Sequence, residues 1–178
     1  MAESNKESSF MAPDQSAEGK RQFRNALGQF ATGVAVITAR DQAGRDLGIT
    51  VNSFSSVSLD PPLILWSIGH ESKSLDAFAM HTPFAVNVLS AEQEAVARHF
   101  AASGRDQFLS TPGTGLPLQR GHGDVPLLGG CLTYFECRLD ALLPGGDHTI
   151  LVGKVERFAS TPGAPLLFHC GKFHKLES

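Results

Sequence analysis

Apolar positions recur along this chain with two different periods, and each period predicts an element. Phe23, Ala26, Leu27, Phe30 and Ala31 fall at i, i+3, i+4, i+7 and i+8, the stripe of one helix, and Thr32-Gly33 stops it. Val34 to Ala39 is short and β-branched, which predicts a buried strand. Asp41 to Asp46 around Gly44 predicts a hairpin turn into a strand over Leu47–Phe54. Asp60-Pro61-Pro62 predicts an extended corner before a strand over Leu63–Ile68. Ser72 is placed to cap a helix through Met80, with Leu75, Phe78 and Ala79 on its buried face. Phe84–Leu89 reads as a strand, and Ser90-Ala91-Glu92-Gln93 as a capping box opening a helix to about Ala102.

The remainder is strand and loop. Ser110 to Gly130 is crowded with Gly and Pro, which predicts a long loop that covers a site or stays mobile. Cys131–Leu143 should pair with His148–Ala159 across a Pro144–Asp147 turn, and Leu166–His169 with Lys172–Leu176 through Cys170-Gly171. Seven or eight strands, three helices and no internal repeat result. Turns rather than crossover helices join the strands, so the expected class is mainly β with peripheral helices. An antiparallel barrel fits better than a parallel Rossmann sheet. Residues 1–18 are polar and predict a disordered tail, leaving 19–178 as a single domain.

Composition narrows the function classes. A chain of 178 residues that is 42% hydrophobic and 19% charged can build a core. A net charge of −3 without a basic cluster argues against nucleic acid as a partner. The longest apolar run, Pro61–Trp66, falls far below the ~20 residues of a membrane helix, and the first residues carry no apolar signal region. A soluble, cytoplasmic protein is expected. Three cysteines without a CxxC pair give neither a disulfide framework nor a zinc finger, and all three are expected to be small core residues. No GxGxxG, Walker loop or GxSxG elbow occurs, and the histidines show no metal-ligand spacing.

Three stretches carry candidate chemistry. Thr50, Val51, Asn52, Ser53, Ser55 and Ser56 cluster small polar groups where a strand leaves the sheet, suited either to the edge of a flat heterocycle or to hydrogen bonds among themselves. Ser72, Lys73 and Ser74 at a helix start suit either an anion or an ordinary capped surface helix. Asp147-His148 at a turn exit either faces a ligand or decorates the hairpin.

In order along the chain, Phe23-Arg24-Asn25-Ala26-Leu27-Gly28-Gln29-Phe30-Ala31-Thr32-Gly33-Val34, Thr50-x-Asn52-Ser53-Phe54-x-Ser56-Val57-Ser58-Leu59-Asp60-Pro61-Pro62, Ser72-Lys73-Ser74, Phe84–Leu89, Gly146-Asp147-His148 and Phe168-His169-x-Gly171-x-Phe173 resemble the short-chain NAD(P)H:flavin oxidoreductases. These are the flavin reductase components of two-component monooxygenases. The resemblance spans residue 20 to the C-terminus. It implies an FMN-binding split barrel, a homodimer, and reduction of FMN or FAD by NADH or NADPH for a partner monooxygenase. It places the Thr50–Ser56 stretch along the isoalloxazine and ribityl chain, Ser72–Ser74 near the flavin phosphate, and His148 with Asp147 at the nicotinamide. Cys170 and Phe173 depart from the basic residue and Tyr common in relatives, and the 110–130 segment matches poorly. A flavin-binding protein without turnover, or a flavoprotein reducing another acceptor such as ferric iron, shares the fold.

Overall fold

The computed structural model describes residues 10–102 and 118–176. Its helices and strands are α1 (Ala17–Leu27), β1 (Thr32–Gly33), β2 (Ala35–Arg40), β3 (Asp46–Val51), β4 (Ser55–Leu59), β5 (Pro62–Gly69), β6 (Pro83–Val88), α2 (Glu94–Ala101), β7 (Leu118–Arg120), β8 (Pro126–Leu128), β9 (Thr133–Gly145), β10 (His148–Ser160), β11 (Leu166–His169) and β12 (Lys172–Lys175). A seven-stranded sheet runs in the order β3-β2-β6-β9-β10-β5-β4, every pair antiparallel. A three-stranded sheet, β1-β11-β12, and the β7–β8 hairpin complete the fold.

The two edges of the large sheet are β3 and β4, which follow one another in the chain. Only Asn52, Ser53 and Phe54 join them. Laid flat, seven strands would hold their edges about 29 Å apart. The link from Val51 to Ser55 reaches roughly 14 Å when extended. The sheet therefore curls until its edges nearly meet, and since β3 and β4 do not pair, the barrel is split along that seam.

Both faces of β2 are covered, which accounts for a sequence that is apolar up to Ala39 except at Thr38. Ala35, Ile37 and Ala39 enter the barrel core with Trp66, Phe78, Phe84, Leu139 and Leu151. Val34 and Val36 face a second core under α2, with Val96, Phe100, Leu128 and Leu166. Polar residues are buried here too. The Asn87 amide donates to Val36 O and to Thr38 Oγ1, both at 3.0 Å, and its Oδ1 accepts the Leu128 N–H at 2.9 Å. Thr38 in turn donates to Pro126 O. The hairpin β7–β8 is thus fixed to β2 and β6 through completely buried, satisfied groups.

Several sequence expectations are corrected. The structure has twelve strands and two α-helices among the described residues, the added strands being β1, β4, β7 and β8. Helix α1 starts earlier, capped by Ser16, whose Oγ accepts the Gly19 N–H, and ends before Phe30. Its apolar stripe faces outward in the single chain: Phe23 is 50%, Leu27 60% and Phe30 79% exposed. The strand expected over Leu47–Phe54 stops at Val51, because the seam must be crossed there. The corner at Asp60–Pro62 is a tight hairpin turn, with Leu59 opposite Pro62 and a cis Asp60–Pro61 peptide. The helix expected over Ser72–Met80 shrinks to one 3₁₀ turn at Leu75–Ala77. Phe78 is extended so that its ring meets Trp66 at 5.0 Å and Phe84 at 6.4 Å, packing that overrides a weak local propensity. Part of the loop expected over 110–130 is β7 and β8; residues 110–117 lie outside the described residues. The long hairpin turns on Gly146-Asp147 alone, so Pro144 belongs to β9.

Replacing Asn87 with Leu keeps the branching and number of side-chain heavy atoms, though not the volume, strands the Leu128 N–H and removes two donated bonds. We expect a loss of about 2–4 kcal/mol of stability, read from urea unfolding. A change below about 0.5 kcal/mol, the scale of an ordinary surface substitution, would show that β8 is held by its apolar contacts instead.

Candidate functional site

The seam positions the first group of candidate residues. Phe54 stacks on Phe135 of β9 with ring centroids 5.7 Å apart, and Ser53 Oγ accepts the Ser67 N–H of β5 at 3.0 Å. The link is thereby anchored on both sides of the barrel end. Ser55 Oγ donates to Ser56 O at 3.2 Å, and Thr50 Oγ1 donates to Ala97 O of α2 at 2.8 Å. Val51 is buried in the core. Four of the six expected ligand-facing side chains are therefore engaged within the protein, and those of Asn52 and Ser56 make no hydrogen bond among the described residues. Asn52 is exposed and forms one wall of a groove of about 580 Å³ between the end of α1 and the β11–β12 hairpin, with Leu27, Phe30, Thr32, Phe168 and Cys170.

Thr32 was read in the sequence only as a helix stop. Its Oγ1 is buried in this groove's lining without a hydrogen-bond partner. An orphaned buried hydroxyl costs about 1–3 kcal/mol, and at a concavity it makes Thr32 a candidate contact for a ligand atom; Trp66 Nε1, likewise without a partner, lies in the core instead. Aromatic walls with an amide and a hydroxyl between them fit a flat heterocycle with a polar edge.

The second group lies past the end of β5. Ser72 N–H donates to Gly69 O at 3.0 Å, and Ser74 N–H to Ser72 Oγ at 3.3 Å, which folds Ser72–Ser74 into a turn. With the helix absent, Ser72 caps nothing and no helix dipole contributes. The positive charge here is Lys73, exposed and without an ion pair among the described residues.

The third group is the β9–β10 turn. Gly146 adopts φ 75°, the left-handed conformation a two-residue hairpin turn requires of its first position. His70 N–H donates to Asp147 O at 3.0 Å, tying the turn to β5. Asp147 Oδ1 lies 2.7 Å from His148 Nδ1. That hydrogen bond is the main cause that holds the Asp147 carboxyl below the usual carboxylate range. An ionised carboxylate only accepts, so Nδ1 carries the proton and Nε2 is the free end of the ring. The imidazole lies beside Gly69, where a Cβ would stand 3.6 Å from Nε2, an ordinary van der Waals contact.

One short segment, Ser67–Gly69, gathers these groups. Ser67 holds Ser53, Gly69 holds Ser72, and Gly69 pairs with His148 across β5 and β10. Asn52 turns from there toward the Thr32 groove. Lys73 and Ser74 turn the other way, toward the β2–β3 turn.

The cysteines divide. Burial pushes the Cys131 and Cys137 thiols up to about 12, as expected of core residues. Cys170 is instead exposed at the β11–β12 turn, with φ 47°, beside Gln29 and His169. Turn geometry rather than core packing places it. Among the described residues, no three His, Cys, Asp or Glu side chains stand close enough to hold a metal, and no helix is long and apolar enough to cross a membrane.

The family model described as "Flavin reductase like domain" matches residues 27–177. The NADH-dependent FMN reductase SmoA of Agrobacterium fabrum is 47% identical over 165 residues, which cover 90% of this chain and 88% of that protein. The reductase component of the flavin-dependent trigonelline monooxygenase of Acinetobacter baylyi is 40% identical over 86% of this chain. There the chain spans about half the relative's length, 48%. Among solved structures, the Streptomyces globisporus NADH:FAD oxidoreductase SgcE6 in complex with NAD and FAD fragments superposes with a TM-score of 0.81 at 36% identity, covering 93% of this chain and 98% of that one. Both the matched span and the identities place the chain in the flavin reductase-like family.

Proposed function

We propose that this protein reduces FMN or FAD with NADH or NADPH and supplies the reduced flavin to a partner flavin-dependent monooxygenase. The observation that carries this reading is the convergence of Ser53, Ser72 and His148 on the end of β5, beside a groove with an unpartnered Thr32 hydroxyl. The relatives are named for NADH, which makes NADH the first donor to test. Free cysteines suit a reducing compartment, and we place the protein in the cytoplasm.

Asn52 and Thr32 would hold the polar edge of the flavin ring, with the backbone of the Val51–Ser56 stretch alongside. Lys73, with Ser74, would hold the phosphate by a charge-assisted contact. A bound flavin supplies the two-electron acceptor that no side chain provides. His148 presents Nε2 to the nicotinamide carboxamide, and Asp147 fixes the tautomer that does so. In this arrangement His148 positions the donor and is not required to transfer a proton.

A steady-state assay tests the reading. NADH oxidation should saturate in free FMN or FAD, and its absence with flavin bound would leave a flavin-binding protein without turnover. In His148→Ala, KM for NADH should rise about ten-fold or more, the loss of one hydrogen bond, with flavin affinity unchanged. Asp147→Asn should act in the same direction and less strongly, because the ring remains while its tautomer is released. Since Asp147 is held below the usual carboxylate range, its pairing is complete above that range and is lost only as pH falls through the lowered value. On its account KM is flat across neutral pH. A collapse of kcat in His148→Ala at saturating NADH would make the histidine a proton donor instead.

We further propose a homodimer. Phe23 and Leu27 on α1, Phe30 just beyond its end, and Leu142, Leu143 and Phe158 on the long hairpin, are exposed in one chain. A second copy would cover such surfaces. Sedimentation at micromolar protein should give twice the 19.0 kDa of one chain, and a monomer alone would refute it.

A further inference from the structure

The groove of about 280 Å³ beside Lys73 runs between the Asp41–Leu47 turn and the Lys73–Ala77 segment. Most charges on its walls are engaged. Asp41 pairs with Arg45 at 2.7 Å, and its Oδ1 accepts the Ala43 and Arg45 N–H groups, so the turn keeps its shape without a ligand. Asp46 takes a bidentate pair from Arg120 at 2.7 and 2.8 Å. Besides Ser74, three polar side chains on the same groove make no hydrogen bond or ion pair among the described residues: Lys73, Asp76 and Gln42. They are a cation, a carboxylate and an amide. Leu47, Ala43 and Ala77 supply an apolar surface between them.

FMN and FAD are identical through the first phosphate, so a protein separates them only by what lies beyond it. We infer that this groove receives the adenosine diphosphate end of FAD. Lys73 meets the diphosphate, Asp76 accepts from the ribose hydroxyls, and Gln42 reads the adenine edge. Each pairing follows from the chemistry of the groups. A carboxylate accepts from a ribose diol, and a primary amide offers the donor and acceptor that complement N6 and N7 of adenine. The groove is at the small end of ligand pockets, suited to a fragment and not to a whole dinucleotide. The inference rests on the proposed placement of the flavin phosphate at Ser72–Ser74.

NADH carries the same adenosine diphosphate, so the test must separate two sources. Wild type, Gln42→Ala and Asp76→Asn would be titrated calorimetrically with riboflavin, FMN and FAD, and KM for NADH measured with riboflavin as acceptor. Both changes are at exposed side chains. Each should weaken FAD about ten-fold and leave the riboflavin and FMN constants and the KM for NADH where they were. Equal weakening of FMN and FAD, or no change in FAD, would overturn the adenosine assignment while the reductase reading stands. A rise in KM for NADH with FAD unaffected would give the groove to the nucleotide instead. Wild-type protein that binds none of the three flavins would overturn both readings together.

Discussion

Three residues, Asn52 to Phe54, connect strands that stand at opposite edges of a seven-stranded sheet. That covalent constraint sets the curvature of everything else. Edges that a flat sheet would keep about 29 Å apart must approach to within the reach of a short link, so the sheet rolls around Trp66, Phe78 and Phe84 and leaves one seam unpaired. The seam is also where the backbone is least committed to sheet bonding. A closed barrel would have spent those N–H and C=O groups on a neighbouring strand. Site and fold share one cause: the opening that a ligand edge can approach exists because β3 and β4 do not meet.

The small polar residues at the seam are consequently asked to do two things. Ser53 anchors the link to β5, Thr50 anchors β3 to the end of α2, and Ser55 folds back on its own backbone. The run of Thr, Asn and Ser that suggested a ligand edge is largely the device that holds the seam in shape. The side chains of Asn52 and Ser56 are what remain, together with backbone that these anchors hold still. Of the two readings left open for this stretch, hydrogen bonding within the protein is realised at Thr50, Ser53 and Ser55, and the ligand edge we propose falls to the residues these bonds leave over.

The barrel strands were legible because their signals are local and strong: β-branched runs, the Gly44 and Gly146 turns, and a doubly covered β2 that is apolar up to Ala39 except at Thr38. The Ser72–Met80 helix was misread because its deciding contact is distant in sequence. Phe78 gains more by entering the core against Trp66 and Phe84 than a nine-residue helix gains by forming. Crossing the seam also has no local signature, since Leu47–Phe54 reads as one strand until the sheet order is known. The site was visible as three motifs and a resemblance, yet their meeting point was not. Ser67–Gly69 is unremarkable in sequence and becomes the junction only when β10 and the seam pack against β5. Thr32 went unnoticed because an orphaned hydroxyl is a property of packing alone.

The loss of the expected helix at Ser72 bears on how tightly a flavin can be held. A helix N-terminus would have added about 0.3–1 kcal/mol to an exposed phosphate. What the turn offers instead is one lysine in solvent, and two unit charges at 4 Å in water interact by only about 1 kcal/mol. His148 is likewise half exposed, and Asn52 stands at an open groove. No element among the described residues encloses these groups in a low-dielectric cavity where each contact would strengthen. Affinity assembled from exposed contacts is modest and sensitive to salt. For the reductase we propose, whose product would leave for a second protein, such weakness would be functional, because reduced flavin retained by a deeply buried site would not reach an oxygenase.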